Sequence, residues 1–422
     1  MTHFGIFCPG AVGHLNPMCN LGKELLRRGH NVTLFGVPDV KSKIANSGIN
    51  FYEIGASEFP LGSLDVLYAE LGELSGMAGL KFSIRLFTKE AKMWFKDAPS
   101  AIKAVGVEVL IVDQVTTVVG TIADYLKLPF ITVCNALLIN RDVSVPPYFT
   151  HWQYQNNLFA KLRNKLGNEL LNYLTRPIWD VLVDQRRQWQ LPPHKQRDDA
   201  YSQLAQICQL PAIFDFPRDN APKQLHYTGP LQNLAGVEPV SFKHLNFPFE
   251  RLTGKPLIYA SLGTLQNRNW TIFQAIAEAC VDLDVQLVIS LGNPNQDVSK
   301  INLAGSPITV AYAPHQQIID RSTLVITHAG MNTTIGTLSS GIPLVAIPIT
   351  NEQPGIAARL ARTGAGKVVP IAKLTVPKLK AAIVEVLNNP SYRQNAVRIQ
   401  IAIQESRGVY TAVDIIEKTI GK

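Results

Sequence analysis

Apolar positions along the chain change period several times, and those changes mark out its elements. His3 to Pro9 is a short run with aliphatic and aromatic content. It passes through a Gly-containing turn into Leu15 to Arg28, where apolar residues recur at helical spacing until Gly29 caps the segment. Asn31 to Val37 resumes strand character, and this β-loop-α-β start is the opening unit of a doubly wound parallel sheet. Val109 to Val112 and Phe130 to Val133 continue the alternation as buried strands, with a helix around Val118 to Leu126 between them. Leu61 to Lys96 and Tyr148 to Trp189 carry helical spacing with many aromatics, among them Phe82, Phe87, Trp94, Phe159 and Trp179. Packing of these rings on their own sheet is the preferred reading, and lining of a pocket is the other.

From Pro211 to Pro248 periodicity weakens and Pro, Asn and Gly accumulate, as in an interdomain connection. The alternation then restarts, with strands at Pro256 to Leu262, Gln286 to Leu291, Thr323 to Thr327, Pro343 to Ile349 and Lys367 to Pro370. Thr375 to Lys422 is mostly helical, with Thr375 as a cap and Pro377 in the first turn. The pattern predicts one α/β domain over 1–215, a linker over 216–248, a second over 249–405, and a final helix over 406–422 that packs back on the first domain.

Composition narrows what such a chain can be. Its 422 residues exceed one compact core, and 46% hydrophobic with 17% charged residues exclude disorder, fibre and coiled coil. A net charge of +8 favours anionic partners, whether nucleotide phosphates or acidic lipid surfaces. No run of five Lys/Arg occurs and no nucleic-acid module is readable, so no nucleic-acid partner is expected. Cys8, Cys19, Cys134, Cys208 and Cys280 are scattered and never spaced C-x-x-C, which reads as buried thiols in a reducing compartment. No signal peptide and no apolar stretch of the roughly 18–20 residues needed to span a bilayer is visible. A cytoplasmic monomer with peripheral membrane contact at most is the expectation. No ligand cluster is spaced for a transition metal, so none is expected.

In open parallel sheets ligands sit beyond the carboxyl ends of the strands, and four strand ends here carry unusual polar residues. In Pro9-Gly10-Ala11-Val12-Gly13-His14-Leu15-Asn16-Pro17 the glycines give a tight turn and Pro17 suits a helix's first turn. His14 is thereby placed at the mouth of the sheet, suited to general-base work, although a surface histidine after a turn fits the spacing equally well. Asp113 follows Leu110-Ile111-Val112 and could orient such an imidazole, or simply cap a loop. Thr327-His328-Ala329-Gly330-Met331-Asn332-Thr333-Thr334 runs from a strand into a helix start rich in donors, which suits a diphosphate. Ala260-Ser261-Leu262-Gly263-Thr264 is a weaker signal of the same kind.

Taken in order, Gly13-His14-Leu15-Asn16-Pro17, Tyr227-Thr228-Gly229-Pro230, Ser261-Leu262-Gly263-Thr264, Tyr312-Ala313-Pro314-His315-Gln316, His328-Ala329-Gly330-Met331-Asn332-Thr333 and Glu352-Gln353 resemble the motifs of family 1 nucleotide-sugar-dependent glycosyltransferases. The resemblance spans nearly the whole chain and is nearest to the bacterial branch acting on macrolides, sterol-like lipids and carotenoids such as zeaxanthin. It implies an α/β fold of the GT-B type, two Rossmann-like doubly wound domains facing across a cleft, the first binding acceptor and the second the donor. It also implies inverting, metal-independent transfer of a hexose, glucose from UDP-glucose, onto a hydroxyl of a small apolar acceptor, with no cofactor. His14 would be the base and Asp113 its partner. Gly263, Thr264, His328, Gly330, Asn332 and Thr333 would hold the diphosphate. Tyr312 would stack on the nucleobase, Ala313 would meet its edge through the backbone, and Glu352 and Gln353 would bind the sugar hydroxyls.

Two positions depart from the family pattern. Gly336 stands where a carboxylate commonly grips the ribose, leaving Thr337, Ser339 or Ser340 as substitutes or a relaxed preference for ribose. His315 stands where plant members have Gln. A nucleotide-sugar-binding protein without turnover and a sugar-nucleotide epimerase of the same fold are the alternative functions; Gly336 hints at the first, and the Gly13 to Pro17 motif argues against the second.

Overall fold

The computed structural model describes residues 1–232 and 247–421. The first sheet is built from β1 (His3–Phe7), β2 (Asn31–Gly36), β3 (Asn50–Glu53), β4 (Val109–Asp113), β5 (Phe130–Cys134), β6 (Gln206–Cys208) and β7 (Leu225–Tyr227). The second is built from β8 (Leu257–Ser261), β9 (Gln286–Ser290), β10 (Ile308–Val310), β11 (Leu324–Thr327), β12 (Leu344–Ala346) and β13 (Gly366–Val368). Their spatial orders are β3-β2-β1-β4-β5-β6-β7 and β10-β9-β8-β11-β12-β13, and every strand pair is parallel. Strand order reverses between β1 and β4 in the first sheet and between β8 and β11 in the second. These are the switch points where a doubly wound sheet opens a crevice.

The helices are α1 (Val12–Arg27), α2 (Pro38–Ile44), α3 (Ser63–Glu73), α4 (Gly76–Val105), α5 (Val118–Leu126), α6 (Leu158–Leu174), α7 (Arg176–Gln188), α8 (Trp270–Cys280), α9 (His315–Ile319), α10 (Met331–Ser339), α11 (Gln353–Thr363), α12 (Val376–Asn388), α13 (Pro390–Ser406) and α14 (Val409–Thr419). Central strands such as β1, β4 and β11 are buried almost throughout, as expected of strands covered on both faces. The five cysteines are buried and unpaired. Among the described residues no helix is long and apolar enough to cross a membrane.

Several elements differ from the sequence reading for identifiable reasons. Strands β3, β6, β7 and β10 are three or four residues long, too short to show a period of two. Strand β7 adds an edge to the first sheet inside the segment read as a linker; 233–246 of that segment lies outside the described residues. Leu61 to Lys96 is two helices, because Leu74 and Ser75 are extended and Gly76 takes φ +52°. The helix read from Leu15 begins at Val12, so Pro17 lies beyond its first turn. At the far end, α14 lies against α1, where Arg28 Nη1 donates to Asp414 Oδ1 and Glu417 Oε2, each at 2.7 Å.

Candidate active site

His14 and Asp113 flank the first switch point. The imidazole sits in the first turn of α1, where its backbone N–H reaches Ala11 O at 2.9 Å, and Asp113 is the last residue of β4. His14 Nδ1 is 2.6 Å from Asp113 Oδ2. The carboxylate is 1% exposed and also accepts from Asn135 Nδ2 at 2.7 Å and from the Val115 N–H at 3.0 Å. With Nδ1 tied to a fixed carboxylate, Nε2 is the nitrogen available to a substrate. Asn135 ends no sequence motif and was missed; it stands one residue past β5, the strand paired beside β4.

Burial acts to lower the His14 pKa, but the charge and hydrogen bond of Asp113, helped by Glu352 and Glu90, outweigh it and hold the imidazole above its ordinary value. Burial pushes the Glu90 carboxyl on α4 up to about 7. It raises Glu352 as well.

His328 and Gly263 flank the second switch point. The His328 ring is buried between Gly263 and Gly330: a Cβ at Gly263 would lie 2.6 Å from Cε1, and one at Gly330 would lie 2.5 Å from Nε2. Gly263 also has φ +73°, which an L side chain rarely adopts. Ala329, beside the ring, takes φ +66° although it carries a Cβ, a conformation tolerated where the surroundings enforce it. Burial pushes His328 down to about 4, and His315 likewise to about 4. Gly330 caps α10, whose first-turn residues Met331, Asn332 and Thr333 line the cavity with amides that have no partner within the helix. Thr264, Tyr312 and Ala313 line it too; the Ala313 N–H donates to Ser290 Oγ at 3.2 Å.

Two residues that the resemblance assigns to the donor have their side chains bonded to protein groups. Asn332 Nδ2 donates to Gly13 O of the opposite lobe at 2.8 Å, and Asn332 Oδ1 accepts from Gln209 Nε2 at 3.2 Å. Pro17 explains why Gly13 O is free: an N–H at position 17 would bond that carbonyl within the helix, and proline has none. Gln353 Oε1 accepts from the Ile349 and Thr350 N–H groups at 2.9 and 3.1 Å, while its Nε2 donates to Gln266 Oε1 at 3.2 Å. Glu352 lines the cavity beside it.

Of the groups offered as stand-ins at the ribose position, Thr337 and Ser339 donate back to the carbonyls of Thr333 and Ile335, and Ser340 donates to Asp320. The polar atoms nearest to Gly336 are Gln316 Oε1, 3.3 Å from an added Cβ, and Gln232 Nε2, at 3.6 Å. They come from α9 and from the segment after β7, so no local spacing joins them to Gly336.

His14, Asp113 and Asn135 border one cavity of about 340 Å³ between the lobes together with Gly263, Thr264, Tyr312, Ala313, His328, Gly330, Asn332, Thr333, Glu352 and Gln353, whereas Glu90, Gln209, Gln232, Gln316, Thr337, Ser339 and Ser340 stand behind its walls. On the side of the first lobe its lining includes the apolar Leu80, Ile84, Phe87, Leu137, Ile178 and Leu182. Arg141 and Arg197 line it too, the latter with its guanidinium 4.7 Å from the Trp179 ring centre and Nη2 donating to Asn172 O at 2.8 Å. The lobes also meet where Gly76 N–H donates to Ile349 O at 2.9 Å, and in a buried pair in which Arg359 Nε donates to Asp215 Oδ1 at 2.8 Å. An imidazole held by a carboxylate can take a proton, and across the same space free amides and a neutral ring can receive a diphosphate.

The model of the family described as "UDP-glucoronosyl and UDP-glucosyl transferase" matches residues 83–409. The zeaxanthin glucosyltransferase of Pantoea ananas is 31% identical over 423 residues, covering 100% of this chain and 96% of that one. That of Pseudescherichia vulneris is 27% identical over 425 residues, covering 100% and 98%. Among solved structures, the glycotransferase of kitacinnamycin superposes with TM-score 0.76 at 18% identity, covering 99% of this chain and 98% of that one. The calicheamicin glycosyltransferase CalG4 gives TM-score 0.74 at 19% identity, covering 100% and 99%. With two doubly wound lobes of the GT-B type, a family model matched over most of the chain and relatives aligned end to end, the chain belongs to the UDP-glucoronosyl and UDP-glucosyl transferase family and is a glycosyltransferase enzyme.

Proposed function

We propose that this enzyme is an inverting, metal-independent, cytoplasmic glucosyltransferase that acts as a monomer and moves glucose from UDP-glucose onto a hydroxyl of a small apolar acceptor of carotenoid type. The observation that carries the proposal is the His14–Asp113 pair, joined at 2.6 Å, facing the His328 cradle across one cavity. In the reaction the acceptor oxygen attacks the anomeric carbon as the bond from that carbon to the β-phosphate oxygen breaks, and UDP leaves with the bonding electrons. The acceptor proton passes to His14 Nε2, and Asp113 stabilises the imidazolium formed. Negative charge growing on the leaving diphosphate is met by the first-turn amides of α10. His328 there stays neutral at pH 7, since burial pushes it down to about 4.

The apolar lining on the side of the first lobe supports an apolar acceptor. The two relatives named for glucosylation of zeaxanthin support the carotenoid class and glucose. Glu352, at the cavity wall beside the dyad, is suited to the sugar hydroxyls, and Tyr312 to the base.

The test is incubation of the full chain with UDP-glucose and, separately, a dihydroxy carotenoid, a sterol and a simple phenol, with and without EDTA, read by mass spectrometry. The expected result is a mass gain of one hexose on the carotenoid, of inverted anomeric configuration, in the presence of EDTA. Isomerised donor formed without acceptor would identify an epimerase instead. Transfer abolished by EDTA and restored by Mg²⁺ would overturn metal independence.

A further inference from the structure

Helix α6 is built inside out. Its inner face is Ala160, Asn164, Gly167 and Leu171, all buried, and its outer face is Leu158, Phe159, Leu162, Leu166, Leu170 and Tyr173, each between 47% and 87% exposed. At 3.6 residues per turn the six outer residues fall within about 120° of arc, an apolar stripe along the helix interrupted by Glu169. A surface helix in water has the opposite pattern, and stripes of this size on a protein surface mark contact sites.

The orientation is fixed by the inner face. Asn157 caps the helix, accepting from the Ala160 N–H at 2.8 Å, and the fully buried Asn164 donates through Nδ2 to Val143 O at 3.0 Å. Gly167 brings the helix against Pro147 and Trp152, each of which would lie 2.8 Å from an added Cβ. Rotation of the leucines inward would break these contacts.

Charge identifies the occupant. Lys165 borders one edge of the stripe, beside a Lys161 whose Nζ pairs with Asp219 Oδ2 at 2.7 Å, and Arg163 borders the other, lying over the Trp152 ring and donating to Gln153 O at 3.1 Å; the one acidic residue on the helix, Glu169, is exposed within the arc. The whole chain carries +8. Two copies of this face related by a twofold axis would bring these cations toward one another, since such an interface sets a patch against itself. A bilayer bearing anionic headgroups would instead receive the leucines at its acyl boundary and the cations at its surface. Helix α7 follows α6 directly, packs against it and lines the cavity with Ile178, Trp179 and Leu182.

We propose that the outer face of α6 docks the enzyme on an anionic lipid surface, setting the acceptor cavity against the phase in which an apolar acceptor resides. The docking goes beyond the transfer reaction and is read with no donor present; its service to the acceptor rests on the proposed transfer to an apolar molecule.

The test is flotation of the full chain with vesicles of phosphatidylcholine alone and with phosphatidylglycerol added. Wild type is expected to float with the anionic vesicles and to be released by salt. The double variant Leu162→Gln/Leu166→Gln is expected to lose about tenfold or more of its vesicle-bound fraction, since both side chains leave the acyl boundary. Its melting temperature and its transfer to a water-soluble phenol without vesicles should stay at wild-type values, because neither residue borders the cavity. Failure of wild type to float, or equal flotation of the double variant, overturns the proposal. A wild-type dimer by light scattering that the same substitutions dissolve, with no lipid binding, would assign the face to a second copy and overturn it too. Either failure leaves the transferase reading intact, and absence of transfer with flotation retained would count against that reading alone.

Discussion

The two sheets end in equivalent places yet do different work there. In the proposed reaction the chemistry at the first switch point is carried by side chains: a histidine in the first turn of α1 and an aspartate ending β4 meet at 2.6 Å, and Asn135 donates to the carboxylate. At the second, shape and backbone dominate. His328 fits because two glycines make room for it, free amides open α10, and the side chains of Asn332 and Gln353 bond to protein groups. A proton acceptor must be a particular atom at a particular pKa, whereas a diphosphate can be met by any convergent set of N–H donors. The front lobe is therefore the more sensitive to a change of functional group, and the rear lobe to a change of volume.

The largest effect that would break this contrast is at the dyad. His14→Ala should lower kcat by roughly a thousandfold, as loss of a general base does, while the donor dissociation constant moves by less than about twofold. Stopped turnover assays with isothermal titration of donor into both proteins measure the two quantities. Equal losses in both would mean that His14 serves the donor, and the division between the lobes would fail.

A smaller effect sharpens the rear half. Gly330→Ala places a methyl 2.5 Å from His328 Nε2 and leaves every polar group of the cradle in place. Overpacking of this kind costs about 1–3 kcal/mol, so donor affinity should fall roughly 5- to 150-fold, with kcat at saturating donor much less affected. A thermal melt separates local crowding from global loss of fold. Wild-type affinity in a folded Gly330→Ala protein would show that shape is not what the rear lobe supplies.

The same division explains what could be read from the chain in advance. Strand ends with polar residues were legible because parallel strands are continuous apolar runs, so a His or Asp at the end of one stands out; His14, Asp113, Gly263 and His328 were all found this way, and all border the cavity. Asn135, Gln209 and Gln232 escape such a reading because they follow β5, β6 and β7 and reach their places through strand pairing, and Arg197 because it is held by Asn172 of α6 and Trp179 of α7. The role of Pro17 was misplaced for a physical reason. By sequence Pro17 suits a first turn, but the helix starts earlier, and the carbonyl that proline leaves free is the one Asn332 takes from across the cleft. Fold class was legible from alternation alone, whereas the short strands β3, β6, β7 and β10 needed their neighbours.

The mildest test requires no substitution and compares the two sites by pH. His14 must be neutral to accept a proton, and Asp113 holds its pKa above the ordinary imidazole value of 6.5, so kcat/KM should rise with pH through a limb above 6.5 and level off. Glu90 and Glu352 face the same imidazole, and burial raises both. As the medium is acidified through about 7, Glu90 takes up its proton and its support for the His14 charge fades, which broadens the limb below the tenfold fall per pH unit of a single group. The rear imidazoles behave differently: burial pushes His328 and His315 down to about 4, so neither changes charge between pH 5.5 and 8 on the scale of about one unit. A nucleotide sugar keeps both diphosphate charges over that range, and its affinity, titrated without acceptor, should be flat while kcat/KM falls. Parallel decline of affinity and turnover would mean that a group titrating near neutrality also grips the donor, and the assignment of proton transfer to one lobe and anion binding to the other would have to be abandoned.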